Sequence, residues 1–269
     1  MTLGKNGLKQ SRREGRPAFG LFCSIPSPVV VEMIGHAGYD FVIVDTEHVL
    51  INPETLENMI RAAEAVGLTV LVRVPDTSPG PILRALDGGA QGIVVPHVKT
   101  RADAEAAVRA SRYYPLGERS LNGGRPAGFG KSNLVEYMQK ANEEILVVVM
   151  IEDREGVENI EEILSVPGVD MVLEGAADLS QSYGMPWQTR GEIVKEALQQ
   201  VQEKAAKKGV PYCAIPRVPE DIQDWVNRGV NTFVLGDERG ISFRALGNQL
   251  TIFQEKMAEA SWMKERENA

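Results

Sequence analysis

The chain contains eight short runs of apolar, largely β-branched residues, separated by segments with helical periodicity. The runs cover residues 19–23, 41–44, 70–72, 92–95, 145–149, 171–173, 212–215 and 232–235. Runs that are continuously apolar, rather than alternating, are typical of strands covered on both faces, as in a parallel sheet. Eight such strands alternating with helices predict an α/β fold, a closed (β/α)8 TIM barrel.

We expect one domain over residues 1–269, with the barrel at about 17–240 and a C-terminal helical extension at 241–269. A chain of 269 residues suits a barrel, which takes roughly 250. The extension is amphipathic, and we expect it to cover the barrel or to dock on a neighbouring subunit during oligomerisation. Residues 114–131 are rich in Gly and Arg and are predicted to form an active-site loop.

Composition and charge narrow the classes of function. The formal net charge of -8 argues against a nucleic-acid surface. The two cysteines, Cys23 and Cys213, lie in apolar runs and are predicted to be buried, reduced thiols. Residues 1–16 lack the apolar core of a secretory signal, and no apolar stretch approaches the roughly 20 residues of a membrane span. These features predict a cytoplasmic enzyme that binds neither nucleic acid nor membrane.

Four polar segments directly follow predicted strands, at residues 45–48, 72–75, 150–153 and 174–180. They read Asp-Thr-Glu-His, Val-Arg-Val-Pro, Met-Ile-Glu-Asp and Glu-Gly-Ala-Ala-Asp-Leu-Ser. The carboxyl ends of barrel strands meet at the face where catalytic residues are found. We therefore expect the four segments to build one active site.

Two carboxylates in these segments suit a metal ion. Glu152 and Asp178 follow neighbouring strands, which lie about 4.8 Å apart in a sheet, so both side chains can reach one point. Carboxylate and water oxygens are the ligands that Mg²⁺ and Mn²⁺ prefer. The alternative is that each carboxylate caps a helix. The small residues at 175–177 would also let backbone N–H groups approach an anion.

Arg73 and His48 are the candidates for charge stabilisation and proton transfer. Arg73 ends a buried strand and needs a partner, which is either a substrate oxyanion or an internal salt bridge to Asp45 or Glu47. A histidine held by a carboxylate, as His48 would be, can act as a base near neutral pH. The sequence leaves open whether His97 faces the site or packs against the barrel.

These segments, in this order, resemble the HpcH/HpaI aldolase and citrate-lyase family. The shared motifs are Asp-x-Glu-His, Val-Arg-Val-Pro, Leu-Asp-x-Gly-Ala-Gln-Gly, Tyr-Pro-x-Gly-x-Arg, Ile-Glu and Ala-Asp-Leu-Ser, between residue 19 and about residue 250. The resemblance implies a TIM barrel that acts on pyruvate- or oxaloacetate-like 2-oxo acids with Mg²⁺ or Mn²⁺. It also implies a dimer-based homo-oligomer, often a hexamer of dimers that exchange their C-terminal helices.

The resemblance also implies roles for individual residues. It assigns Glu152 and Asp178 to the metal and the amides of Ala177 and Asp178 to the substrate carboxylate. It assigns Arg73 to the enolate or carbonyl oxygen, and His48 with Asp45 to proton transfer. It places Glu47 and Asp87 next to these groups as supporting residues. Asp87 would bind a water molecule of the metal's coordination shell, either in its own subunit or across a subunit interface.

Three features depart from the aldolases of the family. Glu174 and Ala176 stand where an apolar residue and a proline are usual, the loop at 119–130 is shorter and differently built, and the last strand ends in the charged segment 236–240. These features resemble the branch that contains the siderophore-biosynthesis (staphyloferrin-type) citrate synthase. Two cations of the loop, Arg119 and Arg125, are then predicted to bind a substrate with two carboxylates, and Glu174 is also predicted to contact the substrate. The alternative is that both arginines only brace the loop.

The leading hypothesis is an enzyme that condenses oxaloacetate with its co-substrate acetyl-CoA to form citrate. One alternative is a class II aldolase that cleaves 4-hydroxy-2-oxo acids to pyruvate and an aldehyde with a divalent metal. In the synthase the metal requirement is open, because Arg73 and His48 could polarise the carbonyl without it. A second alternative is a non-catalytic protein that binds a dicarboxylate. Trp187 either caps the pocket or packs, and packing is expected.

Overall fold

The computed structural model describes residues 4–259 and confirms the TIM barrel. Eight parallel strands close in the order β1 to β8, each hydrogen-bonded to its sequence neighbour, and β1 also pairs with β8. The strands are β1 Ala18–Cys23, β2 Phe41–Asp45, β3 Thr69–Arg73, β4 Gly92–Val95, β5 Leu146–Ile151, β6 Met171–Glu174, β7 Tyr212–Ala214 and β8 Thr232–Asp237. All eight predicted strands are present.

Helices alternate with these strands and form the outer layer. They are α1 Gly7–Arg13, α2 Pro28–His36, α3 Pro53–Ala65, α4 Pro79–Gly88, α5 Arg101–Ser111, α6 Leu134–Glu144, α7 Arg154–Glu158, α8 Ile160–Ile163, α9 Ala176–Ser182, α10 Glu192–Lys208, α11 Asp221–Asn227 and α12 Glu238–Glu259. Several begin at a side-chain cap. The Asn52 side chain accepts the N–H of Thr55 at the start of α3, and Thr100 and Asp103 form a capping box on α5.

Residues on each strand alternate between the barrel interior and the helical layer. On β3, Leu71 belongs to the interior cluster, whereas Val70 and Val72 pack under the helices. The interior is closed at the amino ends of the strands by α1, whose Leu8 is fully buried in the same cluster. The carboxyl ends of the strands carry the predicted site.

Both cysteines are free and buried, as predicted. Within residues 4–259, no helix is long and apolar enough to cross a membrane. The cytoplasmic location stays a prediction.

The last helix, α12, leaves the barrel instead of packing against it. Its main contacts are with β1 and β8, close to its own start. Along its length, apolar side chains face solvent, among them Phe243 at 78%, Leu246 at 72% and Phe253 at 64% exposure. The predicted extension reaches residue 269, and its last ten residues lie outside those described. Residues 241–259 form the predicted helix, but they do not cover their own barrel.

The loop at 114–131 lies on the opposite face from the one predicted. It joins the end of α5 to α6 and the start of β5, so it runs along the amino face of the barrel. Arg125 fixes it there by donating to the Glu64 carboxylate, at the end of α3, and to the carbonyl of Gly88, at the end of α4. The prediction that this loop lines the active site of its own chain is therefore wrong.

Candidate active site at the carboxyl face of the barrel

Arg73 and two carboxylates form a buried ion cluster at the ends of β2 and β3. The strands pair in register so that Asp45 lies beside Arg73. Nε and Nη2 of Arg73 donate to the two Asp45 oxygens at 2.9 and 2.8 Å, and Nη1 lies 3.1 Å from Glu47 Oε2. The internal salt bridges left open by the sequence are thus present. Phe22 packs its ring under the guanidinium, 4.7 Å from Cζ.

The charge state of Asp45 follows from this arrangement. Burial alone would raise the pKa of Asp45, but the hydrogen bonds and charge of Arg73, with the N–H groups of Glu47 and His48, outweigh burial and lower the pKa. Asp45 is therefore ionised across the neutral range. It neutralises Arg73 and holds the backbone of the segment that carries His48.

The His48 imidazole stands at the mouth of the barrel, 59% exposed. Its nearest carboxylate is Glu47, with Nε2 at 3.6 Å from Oε2. The predicted partner, Asp45, instead contacts the backbone N–H of His48 at 3.4 Å. Because both Asp45 oxygens are taken by Arg73, the structure pairs the imidazole with Glu47.

Glu152 and Asp178 lie together on the other side of the mouth. Glu152 is 1% exposed, and Oε1 accepts the backbone N–H of His97 at 2.9 Å. Burial raises the pKa of Glu152 to about 7, and the charges of Glu47 and Asp178 raise it further against the opposing effect of His97. A buried carboxylate repelled by two others fits a bound cation, which would offset that repulsion.

The backbone after β6 leaves room for Glu152. A Cβ on Gly175 would lie 2.5 Å from Glu152 Oε2 and 2.9 Å from Met150 Cε, so a larger residue would displace the carboxylate. The first hydrogen bond of the α9 turn runs from the Leu179 N–H to the Gly175 carbonyl at 3.0 Å. The N–H groups of Ala177 and Asp178 precede it and can donate hydrogen bonds to an anion.

Metal ligands in this cluster are few. Within the described part of the chain, no group of three or more His, Cys, Asp or Glu side chains is arranged to hold a metal ion. Two carboxylates alone match the way Mg²⁺ is often bound, with water and substrate oxygens completing its shell.

His97 belongs to this cluster, which settles the question that the sequence left open. Its Nδ1 lies 2.9 Å from Asp153 and 3.8 Å from Glu152, and Nε2 lies 3.6 Å from Glu47. Burial alone would lower the pKa of His97, but the hydrogen bond to Asp153 and the three carboxylates outweigh it and raise the pKa. The sequence signal for this position is that His97 follows the carboxyl end of β4, just as the other site residues follow the ends of their strands.

The Glu174 side chain, at the end of β6, points away from the barrel interior. Because Leu173 points into the interior, Glu174 points to the helical layer, where its oxygens accept the Tyr212 hydroxyl at 2.7 Å and the Ile215 N–H at 2.9 Å. It borders a cavity of about 280 Å³ between α10 and α11. The predicted contact between Glu174 and the substrate does not fit this geometry. Trp187 is 82% exposed, so the expected packing is also wrong.

Arg119 and Arg125 also lie away from the site, on the amino face. Arg119 is completely buried, donates to Asp87 Oδ1 at 2.9 Å and lies over the Tyr113 ring. Arg125 pairs with Glu64 at 2.7 Å. Both arginines therefore brace the loop, which is the alternative that the sequence left open. The prediction that they bind substrate does not fit the site of their own chain. Asp87 lies on that face too.

Comparison with known proteins assigns the chain to a family. Residues 18–240 match the HpcH/HpaI aldolase/citrate lyase family. The chain belongs to this family. It therefore has the fold of the family and is one of its enzymes, in agreement with the resemblance read from the sequence.

Individual relatives include both kinds of enzyme that the sequence suggested. The crystal structure of citrate synthase SbnG is 47% identical, covers 95% of this chain and 100% of its own, and has a TM-score of 0.89. A hydroxypyruvate/pyruvate aldolase from Sagittula stellata is 38% identical over 78% of this chain and 83% of its own. A 4-hydroxy-2-oxovalerate aldolase from Novosphingobium aromaticivorans is 30% identical over 94% and 96%.

Proposed function

We propose that this chain condenses oxaloacetate with acetyl-CoA to give citrate and free CoA. The observation that carries the proposal is its similarity to citrate synthase SbnG, at 47% identity over almost the full length of both chains. A role in siderophore biosynthesis rests on the resemblance of the sequence alone.

In this proposal, oxaloacetate binds between Arg73 and the start of α9. One of its two carboxylates accepts hydrogen bonds from the backbone N–H groups of Ala177 and Asp178. Its keto oxygen lies toward Arg73, whose guanidinium is fixed by Asp45 and Glu47 and is 10% exposed. A preorganised cation of this kind stabilises the alkoxide that develops as the new carbon–carbon bond forms.

His48 removes a proton from the methyl group of acetyl-CoA. The proposal is supported by its exposure at the mouth and by Glu47, 3.6 Å away, which stabilises the imidazolium that results. The methyl carbon then bonds to the keto carbon of oxaloacetate. Hydrolysis of the thioester releases CoA as a thiol, and the alkoxide takes up a proton to give citrate.

We further propose that Glu152 and Asp178 hold Mg²⁺ or Mn²⁺. The support is the raised pKa of the buried Glu152 carboxylate and the repulsion from Asp178, both of which a cation would relieve. When bound, such an ion polarises substrate oxygens as a Lewis acid. Structures at 15% identity show only the shared fold, although one of them is a citrate lyase beta subunit with oxaloacetate and magnesium.

A second candidate is the aldolase, which cleaves a 4-hydroxy-2-oxo acid to pyruvate and an aldehyde. The curated aldolase relatives favour it, and so does the placement of Arg119 and Arg125. Those two side chains were expected to bind a second carboxylate, and neither can do so in its own chain. His48 would then take the proton of the 4-hydroxyl group.

We also propose that the chain is a homo-oligomer in which α12 packs on the barrel of a neighbouring copy. The support is the length of the helix, 22 residues, and the apolar side chains that it exposes. The β1–β8 side of the barrel also carries the partly buried ring of Phe19, which stacks on the fully buried Phe233 with ring centroids 5.8 Å apart. The exposed part of Phe19 is apolar surface of the kind that a helix from a second copy would cover.

The decisive experiment measures thiol release from acetyl-CoA in the presence of oxaloacetate, with and without EDTA. The synthase requires release that depends on both substrates, and the EDTA sample tests the metal. Glu152→Gln serves as the variant of the proposed metal ligand, and Glu155→Gln, an exposed residue on α7, as the matched control. Pyruvate released from a 4-hydroxy-2-oxo acid without thiol release would assign the chain to the aldolases instead.

A further inference from the structure

His97 has a left-handed backbone conformation, which only a few per cent of residues other than glycine adopt. Its φ is 51°, and among residues with a side chain, asparagine, aspartate and histidine are the types enriched in this left-handed region. Such conformations persist where surrounding contacts over-determine them, and they cluster at functional sites. His97 therefore needs contacts that keep it there.

The imidazole supplies those contacts from two strand ends. Nδ1 lies 2.9 Å from Asp153, at the end of β5, and Nε2 lies 3.6 Å from Glu47, at the end of β2. Lys99 also pairs with Asp153 at 3.3 Å, which holds that carboxylate in place. The ring is thus fixed between two carboxylates that belong to the site.

The consequence of this conformation is the direction of the His97 N–H. It donates to Glu152 Oε1 at 2.9 Å. Among the described hydrogen bonds of the Glu152 carboxylate, this is the one that fixes its orientation. Gly175 lies against the other oxygen, at a distance that leaves no room for a side chain.

We propose that His97 is a positioning residue for Glu152. The imidazole holds the left-handed backbone, and the backbone N–H then fixes Oε1 of Glu152, so that the carboxylate keeps its place at the barrel mouth between His97 and Gly175. The proposal rests on the proposed role of Glu152 as a metal ligand. It concerns geometry and not the protonation of the imidazole.

Three substitutions separate the ring from the backbone. His97→Asn keeps a side-chain N–H for Asp153 and a residue that tolerates the left-handed region. His97→Gly permits the conformation but removes the ring, and His97→Ala disfavours the conformation and removes the ring. His36→Ala, at the exposed end of α2, is the matched control. Circular dichroism and the melting temperature establish that each variant is folded.

Two readouts test the proposal on the full chain. The first is Mn²⁺ affinity, measured from the electron paramagnetic resonance signal of free Mn²⁺, and the second is kcat and KM separately. Removing the group that orients a metal ligand typically costs about 10- to 100-fold. We expect His97→Ala to weaken Mn²⁺ binding and to lower kcat by about 10-fold, with His97→Gly intermediate and His97→Asn within about 3-fold of wild type.

Wild-type Mn²⁺ affinity and kcat in folded His97→Ala would overturn the proposal, as would equal losses in the alanine and asparagine variants. Failure of the proposed function looks different. In that case the wild-type protein binds no Mn²⁺ and turns over neither oxaloacetate with acetyl-CoA nor a 4-hydroxy-2-oxo acid. That result would overturn the role of Glu152 and, with it, the role of His97.

Discussion

At the scale of single residues, the position of Glu152 depends on a residue that has no side chain. A Cβ at Gly175 would lie 2.5 Å from Glu152 Oε2, and the φ of Gly175 is −129°, so the obstacle to alanine is space and not backbone strain. We therefore expect Gly175→Ala to fold but to displace the carboxylate. Its kcat should fall at least about 10-fold, as for other losses of metal-ligand geometry.

Steady-state kinetics and Mn²⁺ titration check this expectation. Gly4→Ala is the control, because a Cβ there meets nothing within 4 Å. Unchanged kcat and Mn²⁺ affinity in Gly175→Ala would show that the carboxylate has room to move or no role in turnover.

Glu174 makes the stability of the protein depend on pH. Burial raises its pKa to about 7 from 4.5, against the hydrogen bonds from Tyr212 and Ile215. Because the folded state holds this proton more tightly than the unfolded state, the stability it contributes is complete below pH 4.5. It is lost as the pH rises from about 4.5 through about 7.

We expect Glu174→Gln to weaken this dependence. The difference in free energy of unfolding between pH 5.5 and pH 8, from urea titrations, should be smaller in the variant than in the wild type. Glu192→Gln, an exposed residue at the rim of the same cavity, should leave the difference unchanged. If both variants behave like the wild type, Glu174 is not the group responsible.

Glu174 also shows where sequence reasoning fails at this scale. Strands of a parallel barrel are buried on both faces, so their apolar runs do not reveal which residues point inward. The sequence places Asp45, Arg73 and Glu152 at strand ends. It does not show whether the side chain of Glu174, at the end of the following strand, points inward or outward. One residue of register separates a site residue from one that lies under the helices.

At the scale of elements, the strands were predictable and one loop was not. The eight apolar runs were sufficient to predict the eight strands of the barrel. The Gly and Arg content of the loop at 114–131 predicts an active-site loop. Its place in the order of elements, between a helix and the following strand, puts it on the amino face, and chain order is therefore a better guide than composition.

The α12 helix gives a prediction at the same scale. Leu246 and Leu250 lie one turn apart and are 72% and 59% exposed. Burying each in an interface would contribute about 1.5–3 kcal/mol. The double substitution Leu246→Glu with Leu250→Glu should therefore shift the protein to a monomer, as measured by light scattering during size-exclusion chromatography.

A charge-matched control separates loss of apolar contact from added charge. Gln249→Glu with Gln254→Glu adds the same two charges to α12, and it should keep the assembly of the wild type. A monomeric wild-type protein, or a Leu246–Leu250 variant that assembles normally, would contradict packing of α12 on a second copy.

At the scale of the whole molecule, the barrel separates two groups of polar residues. Arg73, Glu152 and Asp178 lie at the carboxyl face, whereas Asp87 lies at the end of α4, on the amino face, held by Arg119 and Asn122 at 2.9 and 3.1 Å. Asp87 cannot reach the site of its own chain. If it acts on a metal-bound water, as the family resemblance implies, it does so in the site of a neighbouring copy.

Mixed oligomers test this arrangement. Asp87→Asn keeps an acceptor for Arg119 but removes the charge, and Glu152→Gln removes the proposed metal ligand, so each alone should lose most activity. In co-expressed mixtures, a site can combine Glu152 of one copy with Asp87 of another. Random assembly should then restore about a quarter of wild-type kcat, because half of the copies supply each intact residue. Mixtures as inactive as their parents would mean that Asp87 only holds the loop through Arg119, and that each chain completes its site alone.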